Sequence, residues 1–302
     1  METRSPYEET AHRQIQEWKN PEQSWFDRAR AIISWPADKA GQALMNTPGL
    51  GPVVQNTLSG FVGVLNDAAQ WSVRPEAILE EYRRFGHTHL SSLPQVYSLD
   101  LSTVDRVIGW LDTKYEGMAL AEGVAAGGTS VLTPVVALAV IPADVIALLT
   151  LSLRAIGEHA TYCGFDVSLP SERLFALNVL ALTSSPSDRL KRVALAQLAR
   201  IALDAALRKT WKSVEQNVAV QSAQRIAQTL AIRLTKAKLA QVIPIAGAAI
   251  GGGFNAYYAD KVCKAAFYLY RERFLAAKYG PNEISMPVEP STTLLPDYEL
   301  EP

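Results

Sequence analysis

The chain has 302 residues, 48% of them hydrophobic and 20% charged, with a formal net charge of -1. That is a globular soluble composition, and a chain of this length builds a core without disulfides or a structural metal. Cys163 and Cys263 stand far apart with no CxxC spacing, as reduced, partly buried thiols of a cytoplasmic protein do, and the charged N-terminal stretch has no apolar run of a secretory signal.

Helix signals follow one another along the chain, and no strand alternation stands out. Ser5-Pro6 with Glu8-Glu9 starts a first helix that Asn20-Pro21 stops near Lys19. Two more are expected after Ser24 and after Pro36, before a Gly/Pro turn at Asn46 to Pro52. An amphipathic helix follows from Pro52, and Pro75 opens the next, which Gly86 closes. Ser102, with Asp105 three residues on, is expected to cap one helix running to Gly128. Pro142 fits the first turn of another, closed by Gly164. A long helix is expected from Ser187 or Asp188 to about Lys212, another from Val214 to Ala240, and a Gly-rich stretch leads into a final helix ending at Gly280-Pro281. The region 1–281 reads as a single helical domain, and 282–302, Pro-rich and acidic, as a disordered tail.

Asp144 is the only residue with a formal charge between Val124 and Leu153. A charge in apolar surroundings is costly unless paired, capped or neutralised. In the first turn of a helix begun by Pro142, its carboxylate would accept exposed backbone N–H groups and meet the positive end of the macrodipole. The sharper alternative is an internal polar network, since Arg154, Glu158 and Tyr162 follow on one broad helical face, with Glu122 in a neighbouring Gly-rich helix.

Two segments echo each other, Gly123–Gly128 with Gly123, Gly127 and Gly128, and Gly247–Gly253 with Gly247, Gly251 and Gly252. Glycines four apart let helix backbones approach closely. Val124 to Ala143 and Leu239 to Ala259 are long enough to be weighed as membrane spans. Their Ala, Gly, Ser and Pro content and the placement of the flanking basic residues disfavour that topology. Peripheral attachment is easier. The helices after Thr183 are markedly basic, and Arg189, Lys191, Arg192, Lys209, Lys212, Arg233, Lys236 and Lys238 are candidates for contact with an anionic membrane surface; a solvated face is the competing reading.

The segments YEETAHRQIQEWKNP, EGVAAGGTSVLTPVVALAVIPADVIALLTLSLRAIGEHATYCGFD and IPIAGAAIGGGFNAYYADKVCKAAFYLYRERF resemble the EcsC family of bacterial proteins, named for a product encoded beside an ABC transporter. The resemblance runs from about Tyr7 to Tyr279. It rests on Glu122-Gly123, Gly127-Gly128, Pro142, Asp144, Arg154 and a closing Tyr162-x-Gly164-x-Asp166. It implies a helical bacterial protein and brings no catalytic mechanism with it.

For an enzyme, the acid–base or metal candidates are Glu122, Asp144, Glu158, His159, His87 and His89. No HExxH, GxSxG, Walker A or dinucleotide fingerprint is present, so the hydrolase, NTPase and dehydrogenase classes lack their usual signals. No cofactor or metal is called for, and near-neutral charge without a recognisable module gives nucleic acid little support as a partner. The sequence therefore reads as an all-α multi-helix bundle with two Gly-rich apolar hairpins at a close-packed centre. Its expected role is non-catalytic binding or assistance at the inner face of a bacterial membrane, the partner being anionic lipid or a membrane protein such as a transporter component. The alternative is a hydrolase using Glu122, Asp144 and Glu158, with or without a metal.

Overall fold

Local rules set the first helix, α1 (Pro6–Lys19), as expected. In the computed structural model, the Ser5 hydroxyl accepts from the Glu8 backbone N–H at 3.2 Å, and the Glu8 carboxylate accepts from the Ser5 N–H at 3.0 Å. This reciprocal box satisfies two donors that a helix start leaves without partners. The structure describes residues 3–20, 50–66, 73–130, 134–185, 188–207, 213–241 and 247–287. The helices expected after Ser24 and Pro36 lie outside these residues.

The described chain continues through α2 (Leu50–Asn66), α3 (Pro75–Arg84), a 3-10 segment at Leu93–Ser98 and α4 (Leu101–Ile108). Next come α5 (Leu111–Ser130), α6 (Pro134–Tyr162), α7 (Pro170–Thr183), α8 (Asp188–Leu207), α9 (Ser213–Gln241), α10 (Gly247–Tyr279) and a 3-10 turn at Pro281–Glu283. The fold is an all-α multi-helix bundle, with no strand among the described residues.

Several boundaries differ from the sequence reading. Asp100, not Ser102, caps α4, accepting the Ser102 N–H at 2.8 Å, and the expected long helix breaks at Gly109-Trp110 into α4 and α5. Pro142 lies inside α6, two turns beyond its start at Pro134, so Asp144 is not an N-terminal cap. Helix α7 was not anticipated, although Pro170 occupies the first-turn position where proline is tolerated. Gly164 closes α6 with φ +88, and a Cβ there would press on the Tyr97 ring and the Leu93 carbonyl. The tail expected from residue 282 begins as packed structure: Ile284 lies against the core and Ser285 hydrogen-bonds to Glu272.

Helices α6 and α10 form the centre. Helix α10 packs on α1 and on α4 through α9, most extensively on α5, while α6 touches α2 through α5, α7, α9 and α10. Their interior is Leu, Val and Ala rich, with Val145, Leu148, Leu149, Leu153 and Ile156 from α6 and Val262, Ala266, Leu269 and Phe274 from α10. Gly60 of α2 makes room for the Ile146 side chain of α6, a close approach that a Cβ would block.

The last turns of α10 carry charge into this interior. Arg271 pairs with Asp105 at 2.8 Å, Glu272 with Lys19 at 2.5 Å, and Arg273 with Glu172 at 2.5 Å; all three α10 residues are buried. One turn on, Lys278 reaches Glu8 at 2.8 Å. Successive helical residues point about 100° apart. The run Arg271-Glu272-Arg273 therefore reaches α4, α1 and α7 in three directions.

Candidate functional site at the base of two helical hairpins

The pairs α5–α6 and α9–α10 are helical hairpins, their helices ending and restarting at Ser130/Pro134 and Gln241/Gly247. Asp144 of α6 meets Lys238 of α9 at 2.6 Å. The Lys238 ammonium also donates to Asn255 Oδ1 of α10 at 2.5 Å, and Asn255 Nδ2 donates to Asp144 Oδ1 at 3.2 Å. Three side chains from three helices thus close a ring. Lys238 and Asn255 are buried, and the ammonium lies 5.3 Å from the Phe254 ring centroid.

Glu122 of α5 completes a quartet. It is half-buried, stands within electrostatic reach of Asp144, and its Oε2 is shielded from solvent with no hydrogen-bond partner among the described residues. Burial, and then the Asp144 charge, push its carboxyl above the ordinary glutamate range. Burial pulls the Lys238 ammonium below the ordinary lysine range, and the Asp144 carboxylate only partly offsets it. The site holds one ammonium against two carboxylates.

The ring also fixes geometry. Lys238 is three residues from the end of α9, Asn255 near the start of α10, and Asp144 ten residues into α6. Together with the Lys114–Glu158 pair and the proximity of Glu116 to Asp260, their mutual contact places the end of α5 and the starts of α6 and α10 at the same end of the bundle. Beyond the quartet, α5, α6 and α10 extend about 12 to 15 Å at 1.5 Å per residue. The described residues at that end, 123–130, 134–143, 239–241 and 247–254, include no Asp, Glu, Lys, Arg or His, and the sequence between them has none either.

The EcsC protein family model matches residues 9–275, through both hairpins and the Arg271, Glu272 and Arg273 ion pairs of α10. The chain belongs to the EcsC family. It is also similar to a protein of Bacillus subtilis (strain 168) described as uncharacterized protein YdbA, 25% identical over 195 residues, which is 65% of this chain and 66%, just under two thirds, of the relative. No solved structure matches.

Within this EcsC-family chain, the expected polar network divides. Glu122 and Asp144 come together, whereas Arg154 is exposed, about 15 Å along α6 from Asp144. Glu158, about 21 Å along, is held by the Lys114 ammonium, 2.8 Å from both carboxylate oxygens. Tyr162 donates to Glu81 at 2.5 Å. Glu122, Asp144 and Glu158 therefore do not converge on one reaction centre. His87 and His89 stack edge to face, and His159 is buried with Nδ1 2.8 Å from the Ala155 carbonyl and Nε2 3.4 Å from Asp112.

Among the basic candidates, Lys238 is a correction: it is interior, the partner of Asp144 rather than a surface lysine. Arg233 and Lys236 are partly exposed on the same helix, Lys191 partly exposed and Arg192 exposed on α8. The Arg189 side chain, together with Lys209 and Lys212, lies outside the described residues. Gly123 is buried in α5; Gly127, Gly128, Gly247, Gly251 and Gly252 are helical, with surroundings outside the described residues.

Sequence reasoning flagged Asp144 but missed Lys238 and Asn255 as its partners. The available signal was positional, since Lys238 is the last charge before an uncharged run and Asn255 the first strongly polar side chain after the glycines. A separate cleft of about 740 Å³ opens between α3, the 3-10 segment, the start of α7 and the ends of α8 and α10. Gly164 and Asp166 line it, with the Glu172–Arg273 pair in its wall and Ala202, Ala205 and Ala276 among its small apolar residues.

Proposed function

We propose that this EcsC-family protein is a non-catalytic binding protein peripheral to the cytoplasmic face of the membrane, where its two uncharged hairpin ends enter one leaflet of an anionic bilayer. The observation that carries the reading is that the end of α5 and the starts of α6 and α10 share one end of the bundle, as the Asp144–Lys238–Asn255 ring and the Lys114–Glu158 pair require. A reach of about 12 to 15 Å is half of a hydrocarbon core of about 30 Å, enough to enter a leaflet and too short to cross it. Arg233 and Lys236 lie about 8 and 3 Å along α9 from Lys238, on the side away from the tips, where long basic side chains meet headgroup phosphates.

Ala139–Tyr162 is long and apolar enough to cross a membrane, with a mean hydropathy of 1.8. Half of that stretch is buried within the protein, and its Asp144 and Glu158 are paired with lysines of other helices, which favours a core helix. The same pairing, together with the separation of the carboxylates, weighs against the hydrolase alternative.

Sedimentation with anionic and with neutral vesicles, at low and at high salt, tests the reading. Binding to anionic vesicles that salt weakens supports it. Absence from both vesicle pellets at low salt overturns direct lipid contact, and retention by native membranes alone transfers the reading to a membrane-protein partner.

A further inference from the structure

The quartet is charge-unbalanced at the point where the uncharged hairpin ends begin. Lys238 is committed to Asp144 and Asn255, and Glu122 Oε2 is buried without a donor among the described residues. We infer that Glu122 is a proton-operated latch on membrane penetration: ionised, it holds the hairpin ends at the surface, and neutralised, it lets them enter. The inference rests on the membrane reading above and assigns its regulation.

The groups around Glu122 leave the role to this carboxyl. Helix α6 presents Asp144, α9 presents Lys238, and α10 presents the uncharged Asn255. Asp260 and Lys264 of α10 lie further down, beside Glu116 of α5, about 9 Å along that helix from Glu122 and away from the tips. Helix α2, packed on α6 and α9, contains no charged residue. With Asp144 neutralised by Lys238, the remaining charge at this level among the described residues is that of Glu122. Carrying it toward hydrocarbon adds a desolvation cost and sets it against anionic headgroups, and a single proton removes both penalties.

Linkage then gives the sign. A carboxyl disfavoured when ionised in the inserted state binds its proton more tightly there, so acid strengthens insertion. A difference of one pKa unit between the free and inserted states is worth about tenfold in partitioning. The elevated proton affinity of Glu122 in the folded chain starts the response above the ordinary glutamate range.

The test is the partitioning of the full chain onto phosphatidylcholine–phosphatidylglycerol vesicles at about pH 7.5 and about pH 5, for wild type, Glu122→Gln and Glu116→Gln. The wild type should bind about tenfold more tightly at the lower pH. E122Q should bind at the higher pH as the wild type does at the lower, with most of its pH response gone, and E116Q should keep the wild-type profile. An E122Q profile parallel to the wild type, or a wild type that binds equally at both pH values, overturns the latch and leaves the membrane reading standing. Absence of wild-type binding at both pH values overturns the two together. Thermal melts of each variant confirm that it is folded at both pH values under the conditions of the binding assay.

Discussion

Glu172 and Arg273 face each other across α7 and α10 in a doubly hydrogen-bonded pair, Nη1 to Oε2 at 2.5 Å and Nη2 to Oε1 at 2.6 Å, with both side chains buried. The guanidinium lies over Phe165 at 4.1 Å and Phe175 at 4.3 Å. Its planar fork meets the carboxylate while its face meets the rings, a combination an ammonium does not reproduce. Arg273→Lys should lower the unfolding free energy by about 2 kcal/mol, and Arg273→Met, which strands the Glu172 charge, by about 3 to 5 kcal/mol. Urea denaturation with an unchanged m-value measures both; a loss near zero for R273M would show the pair to be dispensable.

The Asp144–Lys238 pair should show strong coupling. Lys238→Met leaves Asp144 and Glu122 facing each other with no cation, so it should cost about 3 to 5 kcal/mol, more than Asp144→Asn costs. The double variant should recover part of that loss, because no buried charge is then left facing an unsatisfied partner. A double-mutant cycle reads the coupling directly, and strict additivity would contradict the contact.

Glu122 should leave a signature in stability as well as in binding. Its proton affinity is raised in the folded state, so its contribution is fully present below the unfolded pKa of about 4.3 and is lost as pH rises through the higher folded value. Glu122→Gln should therefore melt above the wild type at neutral pH, with the gap closing in acid. Melting curves across that range decide it, and a constant gap would mean that titration of this carboxyl is not its source.

Glu8 should behave in the opposite sense. Burial raises its pKa, but hydrogen bonds from Lys278, Tyr279 and the Ser5 and Leu101 backbone N–H groups prevail and hold it below the usual range. Its stabilisation is present above about pH 4.3 and is lost as pH falls through the lower folded value. Glu8→Gln should cost about 2 kcal/mol at neutral pH and flatten that part of the acid transition. Hydrogen exchange in α1 followed against pH tests whether the loss is local to this helix.

Gly164→Ala should destabilise by about 1 to 3 kcal/mol, since the position has φ +88 and the new methyl would meet Tyr97 and the Leu93 carbonyl. Tyr97 donates to the Gly164 carbonyl at 2.9 Å, so displacement of its ring also disturbs that bond. Tyrosine fluorescence together with a thermal melt checks both effects.

The all-α class, the Ser5 cap and the Gly164 and Gly280 stops were legible because each is a local signal that backbone chemistry enforces. So was the need of Asp144 for a reason. What the sequence hid was tertiary: Lys238 stands among exposed and half-exposed basic residues of α8 and α9, and one-dimensional patterning does not distinguish the interior lysine from its neighbours. The burial of Arg271-Glu272-Arg273 was likewise hidden, because no helical period predicts three consecutive charges buried on three sides. Pro142 misled for a physical reason. A proline inside a helix removes one N–H and need not end the helix when neighbouring packing holds it.

The charges that radiate from α10 also bear on how the chain is made. Glu8, Lys19, Asp105 and Glu172 are all synthesised before the helix that neutralises them, the earliest of them 270 residues ahead of its partner. While the nascent chain lengthens at about 5 to 20 residues per second, these side chains lack their counter-charge from α10, and helices closing over them before it arrives would bury them without that ion pair. The contacts that complete the bundle therefore form only once α10 joins the helices made before it, and a chain without α10 leaves apolar helix faces uncovered.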